Sequence, residues 1–197
     1  MSTYPVLFDV PLPARFDRVQ LVLRLLVTVV LGLIGVSLGW VFVLLYFALP
    51  AVAAIAIQAR GADAYLHETG SAIERLLLWL LSFAAYMSFL GDRFPTGGDA
   101  LVRFEVRPAG TPTVPSALWR LLASLPEALV LAILACGSGI IAFLSVLSVL
   151  FAEKVPPSFL SYQRGVLRWT ARLFAYHASL VEPMPPFAFD TATMSNG

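Results

Sequence analysis

Charge is what this sequence has least of. Of 197 residues only 13% are Asp, Glu, Lys or Arg, while 59% are hydrophobic, and mean hydropathy is +0.83. A soluble domain carries about 25% charged residues. The deficit argues against soluble and disordered chains and for a multi-pass membrane protein. A net charge of +1 leaves no basic field for nucleic acid. The single cysteine, Cys136, excludes an intramolecular disulfide and any multi-thiolate metal site. Two histidines, His67 and His177, make a conventional zinc site hard to assemble. The sequence holds no P-loop, dinucleotide fingerprint or His-Glu-x-x-His, so no cofactor or metal is expected.

What remains is apolar and continuous. Residues 25–59 form a run of 35 without an ionisable group, and residues 128–152 a run of 25. At about 1.5 Å per residue both exceed a hydrocarbon core of about 30 Å. The first is long enough to need a tilt, a kink or an interfacial extension, and Gly32, Gly35, Gly39 and Pro50 lie inside it. Residues 76–91 offer a shorter uncharged stretch. Residues 166–181 contain Arg168 and Arg172, each costing about 2.5–3.5 kcal/mol at a bilayer centre, so that helix is a marginal span. The polar lead of 24 residues before a run of 35 does not fit a cleavable signal peptide. Four crossings would leave seven Lys/Arg on one side and six on the other, which is no orientation signal.

The chain also repeats itself. Phe8-Asp9-Val10 recurs as Phe104-Glu105-Val106 and Arg24-Leu25-Leu26 as Arg120-Leu121-Leu122, both at an offset of 96. Trp79, Tyr86 and Pro95 recur as Trp169, Tyr176 and Pro185, and Asp92 falls on Glu182, at an offset of 90. The difference of six places an insertion in the polar stretch 58–70. The expected organisation is a first unit, residues 1–95, with helices at about 21–57 and 72–91. A second unit, residues 96–190, has helices at about 117–152 and 160–181, and residues 191–197 form a flexible tail. Residues 4–10, 101–106 and 185–189 carry strand-like patterns, and lone strands must pair to satisfy their backbones. Two crossings per unit would put all three strands on one face as a small sheet. One crossing per unit would invert the copies and separate the strands. The first arrangement is expected: an all-α integral membrane protein of two helical hairpins, four membrane helices and a small surface sheet.

Gly165-Val166-Leu167-Arg168-Trp169, then Arg172, Ala175-Tyr176 and Pro185-Pro186-Phe187, resembles the closing signature of the bacterial membrane family called domain of unknown function 4389. Tyr4-Pro5-Val6 with Phe8-Asp9-Val10-Pro11 is similar to that family's opening strand, and Arg120-Leu121-Leu122 with Pro126 to its helix entry. The resemblance runs over nearly the whole chain as two tandem copies, and the second copy matches better. It implies a membrane protein, placed in the bacterial cytoplasmic (inner) membrane, without an established activity. Some members carry a lipase label.

Gly35-Val36-Ser37-Leu38-Gly39 fits the nucleophile-elbow pattern that such a label would need, but no strand precedes it. The same residues form a Gly-x-x-x-Gly, which lets helix backbones approach closely in lipid. Gly32, Gly35 and Gly39 are therefore expected to pack against Gly137 and Gly139, joining the two long helices around Cys136. Arg164, Arg168 and Arg172 recur every four residues and form one helical stripe beside Trp169 and Tyr176. This stripe is the candidate contact for anionic lipid or an acidic partner. Two other readings stand beside it: a solvated interfacial face with Trp169 and Tyr176 as belt anchors, and internal pairing with Glu127, Glu153 or Glu182. His177 suits a structural role or a proton relay. The leading expectation is a non-enzymatic scaffold or accessory subunit packing against membrane lipids, other membrane subunits or a second copy of itself. Transport or lipid handling by the paired units is the first alternative, and a lipase using Ser37 the second.

Overall fold

The computed structural model describes residues 4–96, 101–108 and 110–189, so the expected tail lies outside the described residues. The elements run β1 (Val6–Asp9), α1 (Arg18–Leu33), α2 (Leu38–Arg60), α3 (Ala62–Ala64), a π-helix (Tyr65–Thr69) and α4 (Gly70–Met87). They continue with β2 (Arg103–Val106), α5 (Val114–Ala123), α6 (Leu125–Ala152) and α7 (Pro157–His177).

Both long uncharged runs are helical, and the first is interrupted. Residues 34–37 break the first. Gly35 takes a φ of +71°, which a glycine adopts without steric cost, and the extended Ser37 caps α2 by accepting from the Trp40 amide at 3.2 Å. The second lies wholly within α6, and Ser124 separates α6 from α5 just before it. Pro126, the second residue of α6, has no N–H to give and its ring disfavours a helical carbonyl four residues earlier. Pro50, by contrast, sits inside α2 without breaking it, for a reason that lies in α7.

β1 and β2 pair antiparallel, with Val6 opposite Val106 and Phe8 opposite Phe104. Alternation puts Val6, Phe8, Phe104 and Val106 inward and Asp9, Arg103 and Glu105 outward. Side chains occupy polar groups outside the ladder: Glu74 of α4 accepts from the Val106 amide at 3.0 Å, and Arg168 of α7 donates to the Phe8 carbonyl at 3.2 Å. The expected third strand does not form. Residues 185–189 run as irregular chain over α7, because Pro185 and Pro186 cannot donate to a ladder.

The core centres on α7, which is buried from Gly165 through Val181 together with the turn that follows it. α4, α2 and α6 pack around it. Two helices are long and apolar enough to cross a membrane, α2 and α6, and they are 28% and 11% buried within the protein over their most apolar stretch. The four-helix layout meets a different arrangement. Four crossings would hold residues 15–18 and residue 153 on opposite sides of about 30 Å of hydrocarbon. In the structure Arg15 Nε donates to Glu153 at 2.6 Å and the Phe16 amide donates to the Glu153 carbonyl at 3.0 Å. Likewise the Tyr65 hydroxyl, before α4, donates to the Ala178 carbonyl, after α7.

A crosslink reads this directly. With Cys136→Ala as background, Arg15→Cys and Glu153→Cys are expected to join through a short bismaleimide in native membranes. Absence of the crosslink, with each thiol labelled from a different side, would restore the four-crossing layout.

Candidate functional site

α4 and α7 end in the same way. After Met87 the chain turns through Phe89 at φ +61°, and after His177 through Ser179 at φ +54°. Such turns satisfy some terminal carbonyls and leave others aimed inward. Arg24 of α1 takes those of the first turn, donating from Nε to the Tyr86 carbonyl at 2.9 Å and from Nη2 to the Gly91 carbonyl. Arg120 of α5 takes those of the second, donating to the Tyr176 and Val181 carbonyls at 2.6 Å each. Each guanidinium also lies over the tyrosine whose carbonyl it binds, 4.3 Å from the Tyr86 ring and 4.4 Å from the Tyr176 ring. Both arginines are buried, 2% and 5% exposed.

A polar seam runs from Arg120 into the core. Pro50 supplies no amide to the Tyr46 carbonyl, and His177 Nδ1 occupies that carbonyl at 3.0 Å. Burial pushes the His177 imidazole down to about 4, so the ring is neutral near pH 7 and its Nε2 accepts from Ser124 at 2.5 Å. The Tyr46 hydroxyl donates to the Leu121 carbonyl at 2.7 Å. Ser124 and His177 have the spacing of a nucleophile and its base. Both are fully buried, however, and the second ring nitrogen is spent on a carbonyl rather than an orienting carboxylate. The pair closes the kink at Ser124 and the gap at Pro50. On the next turn the buried Glu127 carboxylate accepts from the Trp169 indole.

The arginine stripe turns inward. Arg168 and Arg172 are 6% and 3% exposed, and only Arg164 is partly open. Arg168 donates to the Phe8 and Phe189 carbonyls and lies 3.9 Å from Asp9. Arg172 donates to the Ala188 carbonyl at 3.2 Å. The stripe ties β1 and residues 185–189 onto α7, and the internal partners of Arg168 and Arg172 include main-chain carbonyls and Asp9. Trp169 and Tyr176 are buried as well and do not form an interfacial belt.

The glycines do not join the long helices. A Cβ at Gly32, Gly35 or Gly139 would meet nothing within 4 Å, and at Gly39 only the nearby Ser37 hydroxyl. Gly137 alone makes a close approach, 2.5 Å from such a Cβ to the Tyr162 hydroxyl of α7. Cys136 is exposed, and Ser37 serves as a helix cap. Small residues allow close packing without compelling it. Arg24 and Arg120 were legible only as helix entries, Glu127 only as a candidate partner of the arginine stripe, and Ser124 not at all. The recurrence of Arg-Leu-Leu with Tyr86 and Tyr176 was the available signal.

Arg120→Met leaves two inward carbonyls without a donor. A loss of about 2–4 kcal/mol is expected, read as a lower thermal midpoint in detergent, against a change within about 0.5 kcal/mol for Arg164→Gln. Equal midpoints for the two variants would contradict the anchoring role.

No curated protein and no solved structure matches the chain. The part that holds the second arginine anchor, the inward stripe and the Ser124–His177 side of the polar seam is recognisable: residues 115–188 match the model of the family described as Domain of unknown function (DUF4389).

Proposed function

We propose that the chain is a non-enzymatic integral membrane scaffold or accessory subunit of the bacterial cytoplasmic membrane, built from two homologous units, residues 1–95 and 96–190. The observation that carries the reading is α6. Over its most apolar stretch only 11% is buried, with Leu129, Ile133, Ile140, Phe143 and Phe151 outward. A core helix of a soluble protein buries that surface, so lipid or a partner must cover it here. α1, α2 and α5 add Leu33, Trp40, Phe47, Ile55 and Trp119 to the same exposed apolar surface.

Several geometric matches support two units. The anchors Arg24 and Arg120 lie 96 apart, and their carbonyl targets Tyr86 and Tyr176, Gly91 and Val181 lie 90 apart. Thr28 and Ser124, also 96 apart, each hold their hydroxyl oxygen within hydrogen-bond distance of the anchor's own carbonyl, at 2.8 and 2.7 Å. Phe8 and Phe104 face each other across the ladder, as equivalent residues do on a local two-fold axis. β1 packs on α7 and β2 on α4, an exchange consistent with that axis. The π-helix Tyr65–Thr69 falls in the stretch where the six-residue difference lies.

A scaffold reading also follows from where the polar groups go. Arg24, Arg120, Glu127, Arg168, Arg172 and His177 bind within the protein, and the outer surface of the long helices is left apolar. Extracted in mild detergent and analysed by light scattering, the protein is expected as an assembly larger than one chain. A monodisperse single chain without a stoichiometric companion would contradict the reading.

A further inference from the structure

Where α1 begins and α6 ends, the surface opens into a cleft of about 550 Å³ lined by Arg15, Phe16, Asp17, Arg18, Asp92 and Glu153. Its charges are sorted by depth. Arg15 and Arg18 stand at the mouth, their side chains 77% and 56% exposed, and both reach the Glu153 carboxylate, Arg15 at 2.6 Å and Arg18 at 3.4 Å. Guanidinium groups carry five N–H donors, so one carboxylate contact leaves donors for a second oxyanion. Further in, Asp92 Oδ2 accepts from the Asp17 amide at 2.9 Å. Its other oxygen, Oδ1, is buried and accepts no hydrogen bond, with Arg24 Nη2 3.7 Å away.

The rim is apolar. Val19 and Val22 at the start of α1 are 68% and 65% exposed, and Leu150 and Phe151 at the end of α6 are 47% and 79% exposed. Cationic mouth, carboxylate floor and apolar rim match the three parts of one molecule.

We propose that this cleft binds the zwitterionic headgroup of an ethanolamine phospholipid, with the phosphate on Arg15 and Arg18 and the ammonium on the carboxylates of Asp92 and Glu153 that line it. The acyl chains run over Val19, Val22, Leu150 and Phe151. A choline headgroup has no N–H for Asp92. An anionic glycerol headgroup would set hydroxyls and a net negative charge against Asp17, Asp92 and Glu153. The assignment goes beyond the scaffold reading and rests on its membrane placement, since the chains need α1 and α6 in lipid.

The test is native mass spectrometry of the full chain in mild detergent, titrated with matched phosphatidylethanolamine, phosphatidylcholine and phosphatidylglycerol. Ethanolamine lipid is expected to be retained several-fold more than the other two. That preference should fall to parity in Arg15→Gln/Arg18→Gln, whose exposed side chains leave the fold intact. It should fall in Glu153→Asn as well, where the residue at φ +53° is replaced by one that tolerates the left-handed region. Headgroup-blind retention, or a preference untouched by either variant, would overturn the site while leaving the membrane placement standing. Soluble O-phosphoethanolamine binding as tightly as the lipid would overturn the lipid assignment. No lipid retained at all would overturn the membrane placement together with the site.

Discussion

Two guanidinium groups set the register of this molecule. A helix that stops inside a protein presents carbonyls that nothing in its own chain can satisfy. α4 and α7 both stop inside, each at a left-handed residue, and α1 and α5 each bring one arginine to the exposed carbonyls. The cost of burying a charge is met by main-chain acceptors and by the face of a tyrosine ring. Because each anchor joins an apolar helix to the end of a buried one, it fixes how the outer helices sit on the core. Further buried polar groups extend from these two points: Ser124 and His177 from the second, Asp92 from the first.

The second constraint is where apolar surface is left over. From Gly165 onward α7 is enclosed on all sides, whereas α6 has contacts along one side and an uncovered apolar face along the rest. In water that distribution would be inverted, with the arginine-bearing helix outside and the Leu- and Ile-rich helix within. Lipid, or a partner, is the medium in which it is favourable. The inward arginines then bind main-chain carbonyls of β1 and residues 185–189, which holds the irregular closing segment against the core.

Much of this was legible in the sequence, and the gaps have physical causes. Uncharged runs locate helices in lipid well because any ionisable group there is expensive, and both runs are helical. The break inside the first, and the one at Ser124 before the second, were less visible. Gly35 could equally have served packing, and only its positive φ and the cap at Ser37 make it a break. Pro50 and Pro126 look alike in sequence, yet one is absorbed because His177 takes the orphaned carbonyl and the other accompanies a kink. The spacing of Arg164, Arg168 and Arg172 established a stripe but not its direction. Periodicity tells which residues share a face and not what that face meets. The glycine patches misled for a related reason, since a small residue facing lipid costs little and leaves no trace in the pattern.

The central claim is that the Trp-bearing α7 is protein interior while the faces of α2 and α5 meet acyl chains. Three single-tryptophan proteins in bilayers containing lipids brominated along their chains test it most directly. Trp40 and Trp119, 65% and 63% exposed, should be strongly quenched, and Trp169, 5% exposed, should be nearly unaffected. Quenching of Trp169 equal to that of the other two, or no quenching at any position, would contradict the account.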